Sequence, residues 1–105
     1  IGRKDHMVKI SGFRIELSEI ITTLLKYEKV EEAAVTAVYD ENRGSKIIYA
    51  FITVKKDQSC SIIALKEFCS RKLPYYMVPE IIISIDTIPR NTNGKVDAKK
   101  LLEFI

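Results

Sequence analysis

The sequence is poor in the residues that most often carry chemistry. It has no tryptophan, one histidine and two cysteines among 105 residues. With His6 alone, near the start of the chain, a Ser-His-Asp or Cys-His arrangement has little to build on, which argues against nucleophilic hydrolysis. Cys60 and Cys69 stand in no metal-type spacing, and with one imidazole a zinc site would lack ligands, so no metal site is expected. Their plain reading is a small core residue on a helix for Cys69 and a loop residue for Cys60. Two unpatterned thiols fit a reducing cytoplasm, the expected location. No apolar run approaches the ~20 residues that a bilayer span requires, and no signal-peptide pattern opens the chain, so no membrane partner is expected. Charge of one sign is scarce too: 17 Lys and Arg against 14 Asp and Glu leave a net +3. That permits an anionic partner such as a phosphate. It falls far short of a nucleic-acid footprint, and the aromatics are not interleaved with a basic stripe.

What is present is the composition of an ordinary soluble globular protein, 47% apolar and 30% charged, in a chain long enough for a single domain, residues 1–105, with one modest core. Its opening is unusually elaborate. A charged lead-in, Gly2-Arg3-Lys4-Asp5, runs into the alternating Met7-Val8-Lys9-Ile10. Ser11-Gly12 breaks that run and Phe13-Arg14-Ile15 resumes it, the pattern of a tight β-hairpin. Apolar residues at Leu17, Ile20, Ile21, Leu24 and Leu25 then predict a helix ending near residues 28–29, with Ser18 as N-cap, Glu19 in the positive first turn, and Thr22, Thr23 and Lys26 on the polar side.

Residues 30–39 are apolar at both parities, which predicts a strand covered on both faces. Turn chemistry at residues 40–44 separates them from residues 47–54, the strongest strand of the chain, so the two should pair antiparallel. A second helix should turn Ile62, Leu65, Phe68, Cys69 and Leu73 inward and stop before Pro74. Residues 75–79 read as an extended connector whose tyrosines cover the edge of the core. Residues 81–85 read as a third strand. A last helix, capped by Asp97, should bury Ala98, Leu101, Leu102 and Ile105. The expected fold class is α+β: a small three-stranded sheet packed with helices, plus the N-terminal hairpin.

Two stretches carry more polar detail than folding demands: the opening, and Pro89-Arg90-Asn91-Thr92-Asn93-Gly94-Lys95-Val96-Asp97. Asn-Gly signals a sharp turn, so Lys95 follows at once after it. On physics alone this is a solvated turn lysine or a point charge aimed at phosphate or carboxylate oxygen, and spacing does not choose between them.

GRKDHMVKISGFRIELSEI and IPRNTNGKVDAKKL, in that order, resemble the two signature motifs of the C-terminal subdomain of adenylate-forming enzymes. This superfamily holds acyl-CoA synthetases, luciferases and amino-acid adenylation domains. Arg14-Ile15-Glu16-Leu17 with Asn93-Gly94-Lys95-Val96-Asp97 is most similar to adenylation domains that load carrier proteins. These include nonribosomal peptide synthetase modules and D-alanine or other amino-acid–carrier protein ligases.

The resemblance implies an ATP-dependent, Mg-requiring acid–thiol ligase. A carboxylic acid, expected to be an amino acid, is adenylated and then transferred to the phosphopantetheine thiol of a carrier protein. It implies a large N-terminal subdomain, absent from this sequence, that holds most of the ATP, the Mg and the acid. The isolated fragment is then expected to be inactive. Lys95 matches the catalytic lysine of adenylation, and Arg3 matches a residue contacting the nucleotide's ribose and phosphates. Residues 1–6 match the hinge region with Asp5 as the pivot, and Gly12 matches the hairpin glycine lining the pantetheine channel. Arg14 and Glu16 are read as structural. Met7, Ser11, Ser18, Thr92 and Ala98 depart from the family's common residues without touching those positions. The alternatives are an acyl-CoA synthetase subdomain and a stand-alone, non-catalytic protein-docking module.

Overall fold

The computed structural model describes residues 7–105, so Arg3, Asp5 and His6, with the hinge assigned to residues 1–6, lie outside the described residues. The first two strands, β1 (Met7–Ile10) and β2 (Phe13–Glu16), form a two-stranded hairpin in which Val8 faces Ile15 and Ile10 faces Phe13. Ser11 at φ 49° and Gly12 at φ 86° are both left-handed. That is the type I′ turn whose twist suits two short antiparallel strands. The helix α1 (Leu17–Leu25) follows directly.

The second sheet has the order β3 (Val30–Asp40), β4 (Ser45–Val54), β5 (Ile81–Ser84). β3 and β4 are antiparallel, as their short connection predicts, whereas β4 and β5 are parallel and joined through α2 (Ile62–Lys72). A parallel pair needs a crossover of this kind. Central position explains why β4, and not β3 as the sequence pattern suggested, is the strand covered on both faces. Residues 47–52 of β4 are buried apart from half-buried Tyr49, while edge strand β3 fully buries only Val30 and Ala34.

The two faces of β4 carry two cores. On one, Ile48, Ala50 and Ile52 pack with Ile15, Leu17, Ile20 and Leu24 from the chain's start and with Leu65 and Cys69 of α2. On the other, Phe51 packs with Ala34, Ile85, Ile88 and Leu101. Burial of side chains this size stabilises by roughly 1.5–3 kcal/mol each.

The local expectations meet the structure unevenly. α1 is capped at Glu16, without a side-chain bond, and Ser18 lies inside it. The helix stops at Leu25, where an i→i+3 bond from the Lys26 N–H to the Thr23 carbonyl tightens the last turn. Thr23 is buried, its hydroxyl donating to the Glu19 carbonyl at 3.0 Å, while Leu25 points outward and is 46% exposed. The stripe therefore sits a position away from the pattern's reading, because a hydroxyl bonded back to its own helix is cheap to bury.

α2 ends as predicted, Leu73 turning extended before Pro74. Residues Tyr75–Met77, however, form a 3-10 turn closed by the Met77 N–H on the Pro74 carbonyl at 2.9 Å, not an extended connector. Asp97 caps α3 (Ala98–Leu101), accepting from the Lys99 and Lys100 N–H groups. That helix buries Leu101 alone. Ala98 is exposed, and the chain tightens into a 3-10 turn over Leu102–Phe104 that leaves Leu102, Phe104 and Ile105 about half exposed.

Candidate functional site

Lys95 sits on a loop held shut by Asn91. The Asn91 N–H donates to the Lys95 carbonyl at 2.8 Å, and its side-chain Oδ1 accepts from the N–H groups of Asn93 at 2.9 Å and Lys95 at 3.1 Å. Gly94, at φ 80°, supplies the left-handed residue that such a turn needs. The legs of the loop meet in an antiparallel bridge between Arg90 and Val96.

The loop walls a cleft of about 530 Å³, with Lys95, Asn91 and Val96 facing Leu17 and Ile21 of α1, Ala34 and Thr36 of β3, and Leu101 of α3. Among the described residues Lys95 has no ion-pair partner. Lys95 is exposed, and the wall beside it is largely apolar and holds no carboxylate, so its ammonium is open to an incoming anion.

The hairpin belongs to a different place. A second cleft, about 320 Å³, lies between Ser11 and Phe13 of the hairpin and a wall that includes Arg43, Lys46, Tyr75, Tyr76 and Glu80. It shares no lining residue with the lysine cleft. Gly12 stands at its turn with nothing within 4 Å of where a Cβ would be. The backbone φ, and not crowding within this domain, accounts for the glycine.

Phe13 stacks on Tyr76, centroids 4.0 Å apart, and Tyr75 meets both rings edge-on while remaining 81% exposed. Tyr76 thus covers the core edge as expected, and Tyr75 does not. Arg14, read as structural, donates through Nε to the Met7 sulfur at 2.8 Å across the hairpin. Glu80 accepts from Arg43 at 2.5 Å, and its carbonyl accepts from Lys66 Nζ at 2.8 Å. The Arg43 hydrogen bond holds the Glu80 carboxyl below its ordinary range and raises the guanidinium. Burial pushes the Cys69 thiol up to about 11, as befits an inert core residue. Among the described residues no three His, Cys, Asp or Glu side chains gather as a metal site would require, and no helix is long and apolar enough to cross a membrane.

Lys95 therefore lines one cleft, Gly12 lies between two residues that line the other without lining it itself, and Arg3 and Asp5 fall outside the described residues. The sequence gives no role to Phe13, Arg43, Glu80, Arg90 or Glu32 individually. Of these, Phe13 as an aromatic beside a turn and Arg90 within the polar stretch before Lys95 offered a signal.

The family description "AMP-binding enzyme C-terminal domain" matches residues 19–95. The chain belongs to this family of adenylate-forming enzymes. Bacitracin synthase 1 of Bacillus licheniformis is 42% identical to this AMP-binding C-terminal domain over 103 residues, which are 98% of this chain and 2% of that protein. Surfactin synthase subunit 1 of Bacillus subtilis (strain 168) is 45% identical over 103 residues, 98% of this chain and 3% of its own length. The domain thus spans a few hundredths of the length of these curated relatives. Among solved structures, the anthranilate CoA ligase AuaEII in complex with anthranoyl-AMP superposes with a TM-score of 0.85 at 29% identity, over 98% of the domain and 20% of that chain. Apo MatB from Rhodopseudomonas palustris gives 0.88 at 26%, over 98% and 20%. The α+β fold expected from the sequence is that of the family's C-terminal domain.

Proposed function

We propose that this domain is the mobile C-terminal part of an ATP-dependent ligase that adenylates an amino acid and passes it to the phosphopantetheine thiol of a carrier protein, as part of a nonribosomal peptide synthetase. The observation that carries this reading is Lys95, an exposed ammonium without an ion-pair partner among the described residues, on an internally bonded turn beside a largely apolar cleft. Relatives named as bacitracin and surfactin synthases support the amino-acid and carrier side of it.

In the first half-reaction the acid's carboxylate oxygen bonds to the α-phosphorus of ATP and the bond to pyrophosphate breaks. Negative charge on the transferring oxygens meets the Lys95 ammonium, and Arg3 contacts the ribose and phosphates. In the second, the thiol adds to the acyl carbonyl, AMP leaves, and the hairpin at Gly12 lines the channel for the pantetheine arm. Asp5 is the pivot about which the domain turns between these presentations. The Lys95 cleft, basic at one rim and free of carboxylates, fits the anionic part of a nucleotide, while Mg and most of the ATP belong to the N-terminal subdomain. On this reading the domain alone is inactive.

The test restores the N-terminal subdomain and screens amino acids for substrate-dependent pyrophosphate exchange. Lys95→Ala should abolish most exchange yet still transfer a supplied aminoacyl-adenylate to the carrier. Normal exchange in that variant would sink the assignment. A second reading, coenzyme A as the acceptor, is favoured by the likeness to the anthranilate CoA ligase. Offering CoA and carrier in parallel, and finding thioester on CoA alone, would select it.

A further inference from the structure

Arg90 is the upstream leg of the lysine loop, and its side chain does more than end a strand bridge. Nη1 donates to the Gly94 carbonyl at 3.3 Å, the oxygen of the peptide group whose nitrogen belongs to Lys95. Nη2 donates to Glu32 Oε2 at 3.2 Å, on edge strand β3. The backbone of Glu32 is itself held. It stands at an irregularity in the β3–β4 register, where its N–H donates to the buried Thr53 hydroxyl at 3.0 Å.

A continuous path of hydrogen bonds and chain therefore runs from Thr53 on the central strand, through Glu32 and Arg90, to the peptide plane that carries Lys95. A planar guanidinium holds two acceptors in a rigid fork, whereas a lysine ammonium is a point charge on a flexible stem that sets no such angle. Both members of the pair are 43% exposed, so its weight in global stability is small. What it restrains is the tilt of a short loop against the sheet, and reactions of this class lose much of their rate to small misplacements.

We infer that Arg90 and Glu32 are positioning residues for Lys95, registering the lysine loop on the sheet so that the ammonium is presented at one angle for adenylation. This rests on the assignment of Lys95 made above. It predicts an effect confined to the half-reaction that uses Lys95 and exerted only through it.

The experiment uses the ligase with its N-terminal subdomain present and compares Arg90→Ala, Arg90→Lys, Glu32→Gln, Lys95→Ala and the double variant Arg90→Ala/Lys95→Ala. Arg90→Ala should lower kcat for pyrophosphate exchange by roughly ten- to a hundredfold, with KM for the amino acid little changed. Glu32→Gln should lose less, and Arg90→Lys should recover part of the Arg90→Ala loss. Transfer from a supplied adenylate should stay at the wild-type rate in all of them. The double variant should be no slower in exchange than Lys95→Ala alone, since a residue acting through Lys95 has nothing left to lose. Exchange in Arg90→Ala within twofold of wild type, beside an inactive Lys95→Ala, would overturn this inference and leave the reading of Lys95 standing. Equal losses in both half-reactions, or additive losses in the double variant, would mean a merely structural pair and overturn it too. Normal exchange in Lys95→Ala would remove both proposals together.

Discussion

Phe13 and Tyr76 lie face to face, ring centroids 4.0 Å apart and planes within 9°. The contact seats the β1–β2 hairpin on the 3-10 turn after α2, and so ties the first cleft-forming loop of the chain to a segment far along it. A two-stranded hairpin is marginal by itself, and a stacked aromatic pair adds about 0.5–1.5 kcal/mol beyond its burial. We predict that Phe13→Ala leaves the main sheet intact but speeds amide exchange across residues 7–16. In the ligase it should slow thioester transfer several-fold while pyrophosphate exchange holds. Unchanged amide exchange in the hairpin would show that the stack does not seat it.

Gly12 offers a separation of backbone need from channel need. At φ 86° an alanine is strained by ~1–2 kcal/mol, whereas asparagine tolerates left-handed geometry. Space above the residue is open in this domain, so an added side chain meets nothing of its own fold. Gly12→Asn should therefore melt close to wild type yet impede transfer to the carrier. Full transfer activity in Gly12→Asn would rule out close passage of the pantetheine arm.

The Arg43–Glu80 pair should report on pH. Its hydrogen bond holds the Glu80 carboxyl below its ordinary value. A depressed carboxylate contributes stability above its unfolded-state value, and that contribution is lost as pH falls through the folded-state value. Both side chains are substantially exposed, so solvent screens the pair and the effect is small. Urea denaturation should find Arg43→Ala slightly less stable than wild type at neutral pH, with the gap closing in acid below the carboxylate range. A gap that widened in acid would refute the linkage.

Phe51 anchors the core on the far face of β4 and is fully buried. Phe51→Ala should cost about 3–5 kcal/mol. Denaturant unfolding followed by circular dichroism measures it, and a loss below about 1 kcal/mol would mean that this core closes around the gap.

Local pattern made the hairpin, the antiparallel β3–β4 pair, the stop at Pro74 and the cap at Asp97 legible, because each depends on residues a few positions apart. Pattern failed wherever a distant neighbour decides. Nothing in the alternation of residues 30–39 says that β3 lies at an edge; that follows from β5 joining β4 on its other side. The inward turn of Thr23 depends on a bond to its own backbone. Lys95 was visible as a lysine after Asn-Gly, but its support was not. Glu32 reaches Arg90 across 58 positions of chain, and Arg43 reaches Glu80 across 37. No periodicity encodes such pairings.

The parallel pairing of β5 with β4 sets an order of assembly. β3 and β4 can zip through a short turn at small loop-closure entropy, but β5 must wait until the α2 crossover has closed. The lysine loop follows β5, and Arg90 bonds it to Glu32 of β3. In refolding followed by pulsed amide exchange, protection should therefore come first to β3 and β4 and last to residues 90–96, so that the end of the domain carrying Lys95 is the final part to take its shape.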